Sequence, residues 1–552
     1  MTGARVLSTE VDGIPTYHCP GVGGPVRAVL QFRVGHVDED LPQRGTTHLI
    51  EHLALHQFGG DVHHNGFTGP NITGFVVEGS SEKVSSFLST VAGTLHRLPI
   101  DRLETECDVL RAEEAQRNWG LAEELLTWRY GMASYGTSAT AEYGVRGADE
   151  EALVSWARKY FTRGNAVLWV IGEIPSDLHL ELPDGARVPC PEIVELQEEP
   201  AWYSSRYQGG AGSTLMRRSP ATTAYAALLD RRLKERLRFD SGKSYAPRVD
   251  FDRRDGVWAE LVFSADALTE NLKEVANGVV ETLADARDRG FTEDEMVTYR
   301  ELALAHTPDH RHVEALTVMA AHSDLVDSRI FWTDEETRAE TEAVTLDSVN
   351  TAAGESWSKV LFAMPGVDLD RPDVTRLSDS SDYLVTGKTY SLREAGEAGE
   401  AGEGEAVALV AGDEGLSLIR GEHKASVRID GRSVLLAWED GKRALLGHDA
   451  FQVVVEPNLW KEGDQIVALL DRAVSAERRI SMGSRDPSEI PAVPQTSGKR
   501  RGPLPTTLYY VLGLVGILAL IAVAIVGHIL ALMVPVIVLL WRLGRNWLRE
   551  PS

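Results

Sequence analysis

Only three of the 552 residues are cysteine, Cys19, Cys107 and Cys190, and they lie far apart. This excludes a disulfide framework and a C-x-x-C metal site, and it fits a reducing compartment. Positive charge is also scarce: 56 Lys and Arg stand against 82 Asp and Glu, a formal charge of −26. Phosphate backbones demand a cationic surface, so nucleic acid is excluded as a partner. The first residues, MTGARVLSTEVDGIPTYHCPG, lack the apolar core of a signal peptide.

Long apolar runs are missing too, with one exception. Residues 508–540 run for 33 positions without Asp, Glu, Lys or Arg, well past the ~20 that one membrane span needs. Basic residues flank the run on both sides, Lys499, Arg500 and Arg501 before it and Arg542, Arg545 and Arg549 after. A transmembrane hairpin over 508–541, reversing near Gly527 and His528, places both flanks in the cytoplasm. The competing arrangement is one span near 508–527 followed by an amphipathic or re-entrant segment broken near Pro535.

An apolar fraction of 43% over this length supplies several cores. The periodicities predict an α+β class. One unit covers 1–190, with strands over 24–35 and 165–174 and helical patterns over 82–98 and 100–130. A second unit of similar size and element order covers 200–380, which is consistent with a duplicated domain. An acidic, low-complexity linker follows over 390–406, then a small β-rich domain over 407–480. Its short strands and closing helix suggest a pleckstrin-homology-like barrel. A Ser/Pro/Gly-rich tether over 481–507 leads to the apolar run.

The stretch GTTHLIEHLAL (45–55) carries chemistry. On a helix, His48 and His52 share one face and Glu51 points to nearly the same side. Two imidazoles and a carboxylate make poor core. The alternatives are an exposed polar face and a zinc site, with two nitrogen ligands and Glu51 as the base for a water molecule. H-x-x-E-H is the reverse of the commoner H-E-x-x-H.

The longer segment VGHVDEDLPQRGTTHLIEHLAL resembles the pitrilysin/insulinase zinc peptidases, in particular the branch of the mitochondrial processing peptidase. The resemblance implies a third zinc ligand in ECDVLRAE. By that match Glu113 is the ligand, and Glu106, two helical turns earlier, orients a ligand from behind. Glu114 is the off-by-one rival but falls out of register with Glu106. The interval from His52 to Glu113 is 61 residues, shorter than is usual in the family.

NGFTGPNIT resembles the family's edge strand, which implies that Asn65, Gly66, Phe67 and Thr68 pair with an extended substrate. LRFDSGKSY resembles its Arg–Tyr motif, which implies that Arg238 and Tyr245 bind substrate and stabilise the oxyanion. The likeness covers about residues 10–375. His56, His63 and His64 read as surface or packing residues.

The family encloses substrate with four such units. Two per chain imply a homodimer or pairing with a related subunit. The expected activity is that of a zinc-dependent endopeptidase, one Zn2+ per chain, acting on peptides or unfolded protein at the cytoplasmic face of the cell membrane. The alternatives are a catalytically inactive peptidase-like scaffold and a membrane-bound adaptor.

Overall fold

The computed structural model describes residues 6–492, apart from 22, 60–62, 198, 306–309, 328–333 and 394–406. The apolar run at 508–541 lies outside the described residues. Among the described residues no helix is long and apolar enough to cross a membrane.

The first lobe runs β1 (Leu7–Val11), β2 (Ile14–Cys19), β3 (Val26–Phe32), α1 (Thr46–Leu55), β4 (His64–Thr68), β5 (Thr73–Gly79), α2 (Ser81–His96), α3 (Leu103–Gln116), α4 (Leu121–Tyr130), α5 (Glu150–Tyr160) and β6 (Ala166–Ile171). Its sheet order is β1-β2-β6-β3-β5-β4. The central strand β6, AVLWVI, is buried along its whole length, as a strand covered on both faces must be. Ser80 caps α2 by accepting from the Lys83 amide. The helix then buries Val84, Phe87, Leu88, Val91 and Leu95 at three- and four-residue spacing against the sheet.

The second lobe runs β7 (Ala201–Ser205), β8 (Gly210–Arg217), α6 (Pro220–Lys234), β9 (Arg248–Arg253), β10 (Trp258–Ala265), α7 (Leu272–Asp288), α8 (Glu293–Leu304), α9 (His310–Asp327), α10 (Asp334–Ala343), α11 (Leu346–Ser358), β11 (Leu361–Pro365) and β12 (Thr375–Arg376). Its order, β12-β7-β11-β8-β10-β9, repeats that of the first lobe from β2 to β4. The repeat lies in topology. Where α1 carries the histidine motif, α6 buries Ala224, Tyr225, Leu228 and Leu229.

The lobes exchange helices. α9 covers the first sheet, with Val313, Ala320, Ala321 and Leu325 against Tyr17, Val29, Val167, Trp169 and Ile171. α4 covers the second, with Leu125 against Ala201, Tyr203 and Leu361, and with Trp128 stacked on Tyr203 at 4.7 Å. At the end of α4, buried Arg129 bonds Glu195 (2.6 Å) and the Ser213 carbonyl (2.6 Å), while Tyr130 donates to Glu260 at 2.7 Å. Arg254 also bonds Glu260 at 2.6 Å. Each buried charge has a partner, which low-dielectric burial requires.

The helical pattern over 100–130 is broken. α3 ends at Gln116 and α4 starts at Leu121, where Glu123 accepts from the Gly120 amide at 2.9 Å. Residues 117–120 leave the helix and turn the chain between them.

The small β-rich domain begins earlier than residue 407. β13 (Lys388–Ser391) pairs with β14 (Val407–Gly412), which continues to β15 (Gly415–Arg420) and β16 (His423–Arg428). The acidic stretch expected as an interdomain linker over 390–406 therefore joins two neighbouring strands of one sheet. Four residues with a single buried side chain, Tyr390, give too short a pattern to announce a strand. A second sheet orders β17 (Val434–Trp438), β18 (Arg443–Leu446), β19 (Gln452–Val455) and β20 (Arg479–Gly483) as β19-β18-β17-β20. Ile466 and Leu470 of α12 (Gly463–Ala473) complete the core between the sheets. The far face of the second sheet packs Val434, Leu436 and Ile480 around Leu41 of the first lobe.

Candidate metal centre

The turn before α1 fixes where that helix starts. Gly45 has φ +98°, and an added Cβ would lie 2.7 Å from the Glu142 side chain, so only glycine fits. Buried Glu39 accepts from the amides of Gly45 (3.0 Å) and Thr47 (2.7 Å). A carboxylate at a helix N-terminus meets the unpaired amides and the positive end of the dipole. Arg44 neutralises Glu39 at 3.2 Å. Leu49, Ile50, Leu53 and Ala54 then enter the core, which turns His48, Glu51 and His52 the other way.

Three groups converge there. Ligand atoms of His48, His52 and Glu113 all lie within 4.8 Å of one another. Glu113 Oε2 is 3.9 Å from His48 Nε2, and Glu113 Oε1 is 3.7 Å from His52 Nε2. Around a tetrahedral zinc with bonds near 2.0–2.1 Å, donor atoms sit roughly 3.4 Å apart. The two Glu113–imidazole separations exceed that by a few tenths of an ångström, and the three groups suit such an ion in type and convergence. Glu114, one residue on, turns away. It accepts from the Glu142 amide at 2.6 Å and faces Arg146 at 3.8 Å.

Behind the ring nitrogens stand two further carboxylates. Glu106 faces His52 Nδ1 at 3.7 Å and accepts from Arg102 at 3.2 Å. Glu142 lies 3.1 Å from His48 Nδ1 and 3.4 Å from Arg44. A carboxylate on Nδ1 holds the proton there and leaves Nε2 as the donor to a metal. Burial works against the Glu142 charge, but the His48 hydrogen bond and the His48 and Arg44 charges prevail and bring its carboxyl down to about 2. Sequence reasoning missed Glu142. It lies 94 residues from His48 in a stretch without motif or periodicity.

Glu51 is buried beneath strand β4. Burial pushes its carboxyl up to about 7, against the pull of the His48 charge and of the Thr68 hydroxyl, which donates to it at 3.2 Å. A carboxyl poised near neutrality can take and return a proton. β4 is the free edge of its sheet. Asn65 and Phe67 point outward, while Gly66 and Thr68 turn inward. At Gly66 a Cβ would sit 2.2 Å from Glu51 Oε1 and 2.8 Å from Leu55 Cδ1. Glycine lets the strand lie directly on the carboxylate.

A cavity of about 420 Å³ opens here, lined by His36, His48, Thr68, Glu113, Arg117 and Glu142 among others. His36 is held well below its ordinary value by burial and the nearby Arg44 charge. A larger cavity, about 730 Å³, lies between the first lobe and the small domain. Asp40, Gln43, Asp430, Ser475, Glu477 and Arg478 line it with no imidazole or thiol, and it is not the metal centre.

Arg238 and Tyr245 come together in the second lobe, with the guanidinium 5.2 Å from the ring centroid. Tyr245 is 76% exposed, and Arg238 is exposed in a π-helical turn over Glu235–Asp240. Among the described residues neither hydrogen-bonds or ion-pairs with the His48–His52–Glu113 cluster.

The fold is that of M16 peptidase domains. The first half of the periplasmic protease PqqL from Escherichia coli superposes with a TM-score of 0.52 at 15% identity, covering 66% of this chain and 93% of that one. An M16 peptidase inactive domain from Pseudomonas fluorescens gives 0.53 at 17%, covering 66% and 98%. A protease from Helicobacter pylori gives 0.52 at 15%, covering 66% and 100%. No protein-family model matches the sequence, and no curated protein matches it.

Proposed function

We propose that this protein is a zinc-dependent endopeptidase. The observation that carries the reading is the convergence of His48, His52 and Glu113 within 4.8 Å beside buried Glu51, on a fold shared with peptidases. The inactive domain among its structural neighbours shows that the fold alone decides nothing. The ligand set, the base and the orienting carboxylates together favour catalysis over a scaffold or adaptor role.

His48 Nε2, His52 Nε2 and a Glu113 oxygen would hold the ion. When bound, zinc supplies a Lewis acid that lowers the pKa of a coordinated water and polarises the scissile carbonyl. Glu142 and Glu106 fix the two rings. Strand β4 pairs with an extended substrate segment and sets the scissile carbonyl over the site. Glu51 accepts the proton of the attacking water and delivers it to the departing amine, so the carboxyl ends each cycle as it began.

Arg238 and Tyr245, exposed and remote in their contacts, are read as completing the site of a second copy or a related subunit. There both can donate to the developing oxyanion. The apolar run at 508–541 is read as the membrane anchor, with the lobes on the cytoplasmic side. The β-rich domain, read as pleckstrin-homology-like, stands between lobes and anchor in sequence.

The test is Glu51→Gln in the full chain. The amide keeps shape but cannot accept a proton. The variant keeps its zinc and loses at least ~100-fold in cleavage of an unstructured peptide. Cleavage at the wild-type rate contradicts the role of Glu51.

A further inference from the structure

The break between α3 and α4 does more than turn the chain. It brings Arg117 into the wall of the cavity that opens on His48 and Glu113. Every other charged group there is committed. Glu113 faces the two imidazoles, Glu142 faces His48 and Arg44, and Glu114 takes the Glu142 amide and faces Arg146. Arg44 is fully buried in its pair with Glu39. Arg117 differs: among the described residues no carboxylate lies within ion-pair distance of it.

The guanidinium is nonetheless held in place. Its Nη2 donates to the Ser138 carbonyl at 2.9 Å, and it lies over the Trp119 ring at 4.7 Å. Ser138 also ties down the neighbouring wall, since its hydroxyl lies 3.2 Å from His36 Nδ1. One carbonyl engages only part of a guanidinium, which carries five N–H donors in a planar fork suited to a carboxylate. The charges of Glu142, Glu123 and Glu114 reach it only through space, against the like charge of Arg44, so its donors stay open to a carboxylate brought by a ligand.

We propose that Arg117 is a carboxylate-binding subsite beside the metal centre, which selects peptides presenting an anionic group next to the bond held over Glu51. This rests on the peptidase reading. It adds a specificity: the overall acidity of the chain would suggest basic substrates, whereas the local cation selects acidic ones. The carboxylate comes either from an Asp or Glu side chain or from a peptide C-terminus. The chemistry at Arg117 is the same for both.

Binding, not turnover, is the readout. The full chain carrying Glu51→Gln serves as parent, so that peptide is held uncut. Fluorescence anisotropy follows two pairs of labelled peptides. One pair differs by an internal Glu against Gln, the other by a C-terminal acid against an amide. In at least one pair the charged member binds about 10-fold tighter, as a charge-assisted, partly buried contact allows. The pair that responds identifies the source of the carboxylate. Arg117→Gln abolishes that preference, and Arg117→Lys keeps part of it. Equal affinities within both pairs in the parent overturn the proposal whether or not the Arg117 variants fold. So does a preference that survives in Arg117→Gln. Failure of the wild-type chain to cut any peptide would instead count against the peptidase reading, and the binding result would still decide the role of Arg117.

Discussion

Replacing Gly66 by alanine probes the placement of strand β4 on the Glu51 carboxylate, the proposed base. The new Cβ would lie 2.2 Å from Glu51 Oε1 and 2.8 Å from Leu55 Cδ1, whereas ordinary contact begins near 3.4 Å. Strand or carboxylate must therefore move by about 1.2 Å. Glu51 has little room, because it sits in one helical turn with both histidines and accepts from Thr68. The strand yields, and with it the register of a bound peptide. Misplacement by about 1 Å costs a reaction that depends on aligned groups roughly 100-fold. Gly66→Ala is thus expected to lose about two orders of magnitude in kcat/KM. It keeps its zinc, since no metal ligand touches the new methyl group. A steady-state assay on an unstructured peptide, with metal content measured on the same sample, checks both halves. Wild-type kcat/KM in this variant would refute the argument that β4 presents substrate to Glu51.

Other outcomes follow from the same geometry. Glu142→Gln removes the charge behind His48 and weakens zinc binding about 10- to 100-fold in competition with a chromophoric chelator; unchanged affinity contradicts its orienting role. Arg129→Met leaves Glu195 and Glu260 short of a buried partner and lowers stability by about 3–5 kcal/mol in urea unfolding; a change under ~1 kcal/mol would mean that the interlobe ion cluster is not maintained in solution. Tyr245→Phe lowers turnover about 10- to 1000-fold, and mixing it with the Glu51→Gln variant restores activity if a second copy completes the site. No recovery despite proven subunit exchange places the pair's work within one chain. In a background free of the native cysteines, Ser497→Cys and Ser552→Cys are both shielded from an impermeant reagent in intact cells; labelling at 552 alone contradicts the hairpin.

Features written locally were legible. α1 declares itself through Gly45, through four apolar residues at helical spacing and through paired histidines one turn apart. The two turns from Glu106 to Glu113 put both on one face, but their roles were implied only by the family resemblance. The strand order of the second lobe had to be seen, since its likeness to the first lies in topology. Helix exchange left no mark in the sequence: α4 and α9 present apolar faces that any sheet could cover, and the partner is chosen by packing. Glu142 and Arg117 were hidden for another reason. Each reaches the site from a non-helical segment, and no spacing rule joins 142 to 48 or 117 to 36. β13 was hidden by the acidic stretch that follows it.

His48, His52 and Glu113 are proposed to hold one catalytic zinc. Metal analysis of the purified full chain tests it most directly, with His48→Ala, His52→Ala and Glu113→Gln analysed beside the wild type. About one zinc per wild-type chain is expected, with loss of that zinc in all three variants and the fold retained by circular dichroism. A wild-type chain that takes up no zinc, or three variants that keep it undiminished, would contradict this ligand set.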